Sequence, residues 1–241
     1  MKILNMLVVV LALAAAPGWA ETLQQSVDQA QAVIKRFKGI PEESIPEEVI
    51  RDAKGLAVLT VVKAGFIFSA RGGQGVVLAR TPSGGWSGPS GIGTGGAGFG
   101  LQVGLQSTEF VIVLNTPSAV AAFAKGGNVE LGADLSVAAG PVGRHVAAGV
   151  MPTAAVYTYS RSQGIFAGVS LEGTVIVTKK ERNAEYYGHP VEASDILGGK
   201  APPPAGAMAL IKELEVSSGP AQPPVRALPA ANAPVKAAPA R

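Results

Sequence analysis

A chain of 241 residues with no cysteine forms no disulfide, offers no thiolate as nucleophile or metal ligand, and is held together by packing alone. Its net charge of +3 is unevenly spread: past Gly199 five lysines and arginines face two glutamates, which leaves the preceding mature chain close to neutral. Aromatic residues make up 5% and do not interleave with a basic stripe, which excludes a nucleic-acid-binding surface.

Residues 1–20 read as a secretory leader: Lys2 gives a positive start, residues 3–16 are apolar, and Gly18-Trp19-Ala20 supplies a small-x-small cleavage site before Glu21. Pro17 and Gly18 break the apolar stretch short of the length a spanning helix needs. Across 22–38, Leu23, Val27, Ala30, Ile34 and Phe37 recur at helical spacing, which predicts an amphipathic helix stopping at Gly39. A second short helix is expected with Pro46 at its first position and Glu47 and Glu48 against the positive end of its dipole.

The pattern then turns to strands at 55–62, 66–70 and 76–80, with turns at Gly72-Gly73 and Ser83-Gly84-Gly85, and to further strands at 99–105 and 110–114. Thr116-Pro117 opens a short helix closed by Gly126-Gly127. Strands at 129–137, 154–159, 165–171 and 174–178 precede helical segments at 181–187 and 191–197. The fold these elements predict is α+β, a predominantly antiparallel β core, barrel-like or a sandwich, with the N-terminal amphipathic helix and short helices at its edges. GFGLQVGL at 98–105 echoes GIFAGVSL at 164–171, as a duplicated unit would. Past Gly199 the Ala/Pro-rich composition cannot bury enough apolar surface to offset ordering. The plan is thus a leader at 1–20, a folded domain at 21–198 and a disordered basic tail at 199–241, with a brief helix at 207–216.

Catalytic chemistry is thinly represented. His145 and His189 are the only imidazoles, no serine sits in a Gly-x-Ser-x-Gly elbow and no His-Glu-x-x-His occurs, so no catalytic residue, metal site or cofactor is expected. Gly91-Ile-Gly-Thr-Gly-Gly96 has dinucleotide-binding spacing, but no strand precedes it and strand residues follow where a helix should open, which favours close backbone packing instead. Gly96, Gly100 and Gly104 match a membrane glycine zipper, yet the Ser, Thr, Gln and Pro around them make a poor spanning helix.

A run of motifs resembles the SYLF-domain family, that is, the Ysc84-like actin- and lipid-binding domain: AKGLAVLTVVKAGFIFS at 53–69, WSGPSGIG at 86–93 and GFGLQVG at 98–104. FVIVLN at 110–115, AGPVGR at 139–144, YTYS at 157–160, GIFAGVSLEG at 164–173 and NAEYYG at 183–188 continue it in order. The resemblance implies phospholipid binding, with phosphoinositides as eukaryotic ligands and actin as a partner of some fungal members. A lone domain behind a leader is similar to the bacterial, exported branch, which points to a periplasmic or secreted protein at a membrane surface and away from cytoplasmic actin.

The candidate lipid contacts are Lys35, Arg36 and Lys38 near the end of the first helix, and Lys54, Lys63, Arg71 and Arg144 among the glycine-rich strands, since arginine forks and ammonium groups pair with phosphates. Each has a plainer alternative: a helix end complementing its dipole, or an internal ion pair for Arg71 and Arg144. The helix's apolar face is equally available to the core, and Trp86 suits a core anchor as well as an interface. The expected function is non-catalytic binding of anionic phospholipid at the cell envelope; the competing one is an envelope protein that binds another protein or a cell-wall polymer.

Overall fold

The computed structural model describes residues 21–39, 44–140, 154–164 and 174–217, those at 65–69 and 97–103 by their strand pairing. Helix α1 (Leu23–Lys38) is opened by a capping box. The Thr22 hydroxyl accepts from the Gln25 N–H, and the Gln25 side chain accepts from the Thr22 N–H at 2.7 Å. Helix α2 (Glu47–Asp52) begins one residue later than expected, because Pro46 takes the N-cap and leaves Glu47 and Glu48 to the first turn.

The largest departure from expectation is the length of the next two strands. Strand β1 (Gly55–Ala79) and strand β2 (Ser90–Leu114) each run for 25 residues, with no turn at Gly72-Gly73 and no break between 105 and 110. They pair antiparallel from Gly55 opposite Leu114 to Val77 opposite Ser90, with one register shift between Phe66 and Phe68. The turn expected at Ser83-Gly84-Gly85 does form, with Gly84 at φ 91.

A straight strand of this length would span about 80 Å. This one doubles back: a Cβ added to Gly75 would stand 1.9 Å from the Val58 carbonyl oxygen, and one added to Gly73 would stand 2.9 Å from that of Thr60. The Arg80 N–H donates to the Lys54 carbonyl at 2.8 Å, closing the two ends of β1 together. Glycine at 73 and 75 therefore serves a close crossing of backbones, and the same residues that read as a turn are spacers.

Helix α3 (Pro117–Ala124) follows, capped by the Thr116 hydroxyl. The single strand expected at 129–137 is two: β3 (Asn128–Glu130) and β4 (Val137–Ala139), parted where Gly132 takes φ 99 and its N–H donates to Leu135. Strands β5 (Val156–Gly164) and β6 (Val175–Thr178) complete one sheet in the order β3-β6-β2-β5-β4, with β1 paired to β2. All pairings are antiparallel except β4 with β5. The fold is α+β with a mostly antiparallel sheet curled into a half-barrel, as the sequence predicts. The strand expected at 165–171, and with it the second copy of the internal echo, lies outside the described residues.

The sheet is covered on both faces. Leu56, Val58, Val76, Leu78, Val111 and Val113 meet α1, α2 and the last helix on one side. Ala57, Leu59, Val77, Ile92, Phe110 and Ile112 meet α3 and the inner layer on the other. Burial on both faces explains why 55–62 is a continuous apolar run rather than an alternating one. Helix α4 (Lys180–Tyr187) and helix α5 (Ala193–Leu197) pack at the edges, and buried Asn183 accepts from the Gly91 N–H at 2.7 Å. Gly91–Gly96 thus lies inside β2, with Gly91 packed against Leu23 of α1 and Asn183 of α4, and is neither a phosphate loop nor, with Gly100 and Gly104, a membrane helix.

The domain also continues past the boundary that composition suggests at Gly199. Helix α6 (Met208–Ser217) buries Leu210, Ile211 and Leu214 against α1, and Ala201 and Ala207 are buried ahead of it. The brief helix expected at 207–216 forms one residue later, but as part of the domain instead of a disordered tail; residues 218–241 lie outside the described residues.

Candidate functional site

The end of α1 is committed to the fold. Its apolar side chains Leu23, Val27, Ala30, Val33, Ile34 and Phe37 are all in the core. Arg36 forks onto the Glu109 carboxylate, with Nε at 3.1 Å, and Lys38 pairs with the Glu213 carboxylate and donates to its carbonyl at 3.3 Å. Of the three cations there, Lys35 is the exposed one. Lys54 is exposed at the start of β1, where its backbone bonds Leu114 and Arg80. Arg144 lies outside the described residues. Trp86 is a core anchor: its ring is buried and the Arg80 guanidinium stacks on it at 4.1 Å, with burial pulling Arg80 below the usual guanidinium range.

Lys63 and Arg71, in contrast, stand either side of the place where the ribbon leaves the core. Ala64 and Ala70 on β1 and Gly95, Gly96 and Leu105 on β2 are exposed, Leu105 to 63%. Between Lys63 and Arg71 the sequence is AGFIFSA, and the facing stretch of β2 carries no charge from 90 to 108. The outer turn of the ribbon is therefore uncharged in sequence, flanked by exposed Ala64, Ala70 and Leu105, with one cation at each end of its β1 segment.

Strand alternation sets both cations on the face that carries Val61, Gly73 and Thr94, which already touch: a Cβ on Gly73 would meet Val61 Cγ2 at 2.8 Å and Thr94 Cγ2 at 3.0 Å. One step outward, Lys63 lies opposite Gln106, and the Arg71 side chain lies over Gly96, where an added Cβ would meet its Nε at 2.8 Å. Arg71 takes part in none of the ion pairs found among the described residues.

The same face is polar at this level. The Thr108 and Ser162 hydroxyls bond at 3.0 Å, and Thr94 donates to the Val175 carbonyl at 2.8 Å. Gln106 is 1% exposed with neither amide atom hydrogen-bonded, and Thr174 is 2% exposed with its hydroxyl unbonded. Ile176 pairs with Thr94, so Thr174 comes level with Gly96. Sequence reasoning picked out Lys63 and Arg71 but missed Gln106 and Thr174. A signal existed for the first: Gln106 and Thr108 break the run of even-numbered apolar positions that Phe110, Ile112 and Leu114 establish on β2.

Residues 95–217, from the exposed part of β2 through α6, match the Ysc84 family model, described as Las17-binding protein actin regulator. The chain belongs to the Ysc84, or SYLF, family. Human SH3 domain-containing YSC84-like protein 1 is 46% identical over 200 residues, covering 80% of this chain and 58% of that protein. Its mouse counterpart is 47% identical over 192 residues, 77% and 56% of the two chains. LAS seventeen-binding protein 3 of Saccharomyces cerevisiae is 46% identical over 178 residues, 72% and 39% of the two. This SYLF chain thus spans between 39% and 58% of the length of these three relatives. By its description the family is one of binding proteins. No helix among the described residues is long and apolar enough to cross a membrane.

Proposed function

We propose that the chain is an exported, non-catalytic domain that binds anionic phospholipid surfaces at the cell envelope, with residues 1–20 removed as a leader. The observation that carries this reading is the exposure of Ala64, Ala70 and Leu105 beside Lys63 and Arg71, in a stretch of both strands whose sequence between those cations is uncharged. Such a surface suits a bilayer boundary: apolar residues such as Leu105 enter the acyl region while the flanking cations meet lipid phosphates, each worth about 1 kcal/mol near an anionic surface. Lys35 and Lys54 are exposed and available as secondary contacts; Arg36 and Lys38 are not needed for the reading.

Co-sedimentation of the chain with phosphatidylcholine vesicles, with and without phosphatidylglycerol, at low and high salt tests it. Binding to the anionic vesicles that weakens with salt is expected. Binding to neither sinks it. A second reading, binding to a protein partner, is favoured by the relatives' names, which include LAS seventeen-binding protein 3. A pull-down in the absence of lipid that recovers a stoichiometric protein partner would establish that one instead.

A further inference from the structure

We propose that Arg71, Gln106 and Thr174, with Lys63 at the rim, form a seat for a phosphate monoester between the two layers of the folded ribbon. This rests on the lipid-binding reading and names the headgroup chemistry it selects.

The first support is an unmet polar demand. Gln106 is 1% exposed and Thr174 2%, yet the Gln106 amide and the Thr174 hydroxyl bond nothing. Buried groups of this kind are rare in native proteins and mark a place where a further partner belongs. The second support is placement. Gln106 lies directly across from Lys63, Thr174 comes level with Gly96, and the Arg71 side chain crosses Gly96. These positions follow outward from the contact that already joins the two layers at Val61, Gly73 and Thr94. The bare backbone at Gly95 and Gly96 keeps that level free of side chains from β2.

The donors and acceptors choose the anion. The Arg71 guanidinium and the Thr174 hydroxyl donate; the Gln106 amide both donates and accepts. A carboxylate or the phosphodiester group itself offers acceptors alone and has no proton of its own for the Gln106 carbonyl. A phosphate monoester, whose second proton titrates near pH 6, supplies acceptor oxygens together with a P–OH for part of its population at neutral pH. Within a single anionic group it therefore meets both amide atoms at once.

The seat makes an unusual prediction for Gln106→Leu. Replacing an unbonded buried amide by an apolar side chain of similar size leaves stability unchanged or raises it, since no hydrogen bond is lost. The same change removes part of the anion's coordination. Three proteins are compared: the unaltered chain, Gln106→Leu, and Arg71→Gln, which alters a half-buried side chain and spares the core. Binding is measured to phosphatidylcholine vesicles doped with phosphatidic acid, a monoester, or with phosphatidylglycerol, a diester, at matched surface charge. In parallel, the shift in melting temperature caused by soluble glycerol 3-phosphate is recorded.

The unaltered chain is expected to prefer the monoester vesicles about tenfold, the worth of one charge-assisted hydrogen bond. Both variants should lose that preference, with Gln106→Leu melting no lower than the parent. Equal binding to both vesicle types by the unaltered chain overturns the seat while leaving the lipid reading intact. Binding to neither vesicle, with a glycerol 3-phosphate shift that Gln106→Leu abolishes, supports the seat with a soluble phosphate as its ligand and overturns the lipid reading. No vesicle binding and no shift overturns both, and a preference that survives in both variants overturns the assignment of these residues.

Discussion

The end of α1 and the outer turn of the ribbon are alike in sequence and opposite in fate. Each joins apolar residues to a small set of cations, and each is a candidate for a membrane surface. In the helix the apolar side chains are absorbed by the core and two of three cations are held by Glu109 and Glu213. In the ribbon Leu105 is exposed, and Arg71 lies over bare glycine backbone. The difference teaches that amphipathic character states what a segment has to offer and not what receives it. A helix finds its cover within one face of a sheet, while Leu105 of the ribbon is left exposed.

The comparison is broken most severely at the root of the ribbon. Gly75→Val puts a side chain where a Cβ already stands 1.9 Å from the Val58 carbonyl, and is expected to cost about 3 kcal/mol or more, seen as loss of the cooperative urea transition or a large fall in its midpoint. Next in size is the cover of α1. Leu210→Ala empties a fully buried site between α6 and α1 and should lower unfolding free energy by about 2–5 kcal/mol by the same measurement. An unchanged midpoint would return α6 to the tail.

Leu105→Glu separates the two regions by function: it should leave the urea midpoint within about 0.5 kcal/mol, as surface changes do, yet cut binding to anionic vesicles about tenfold or more. Arg36→Gln is its counterpart. It removes a half-exposed ion pair worth about 0.5–1 kcal/mol and should leave vesicle binding unchanged; a matching loss of binding would reinstate the helix end as a contact.

The mildest effect is on pH. Burial, with the charge of Asp28 behind it, pushes Tyr186 up to about 12, and burial raises Tyr159 and Tyr187 as well. These phenols hold their protons in the fold after the unfolded chain has released them near pH 10. Stability is therefore fully present below pH 10 and declines as pH rises from about 10 to 12, which melting temperatures across that range would register. Tyr186→Phe should flatten part of the decline.

Much of the fold is legible because its signals are local. Leu23 to Phe37 repeat at helical spacing, Thr22 and Gln25 form the cap their spacing announces, and the apolar run at 55–62 sits where a doubly covered strand requires it. The misreadings share one cause. Glycine marks both a turn and a close crossing, and only Val58 and Thr60, distant in sequence, tell which applies at 73 and 75. Composition assigned α6 to the tail for the same reason: its partner is α1, at the far end of the domain. The candidate site divides similarly. Lys63 and Arg71 declare their charge, whereas Gln106 and Thr174 matter only because two layers meet, which no local pattern encodes.

The pairing of the first helix with the last also sets when this domain can become itself. Gln24 reaches the Gly206 carbonyl across 182 positions, and Lys38 reaches Glu213 across 175. The first helix to leave a ribosome or a translocation pore thus carries apolar surface that β1 can cover early but that α6 can cover only after nearly the whole domain has followed. Contacts so remote in the chain close slowly, on the order of milliseconds to seconds. During that interval α1 is the surface a chaperone would hold, and an arrest of synthesis short of residue 208 would leave it without its partner.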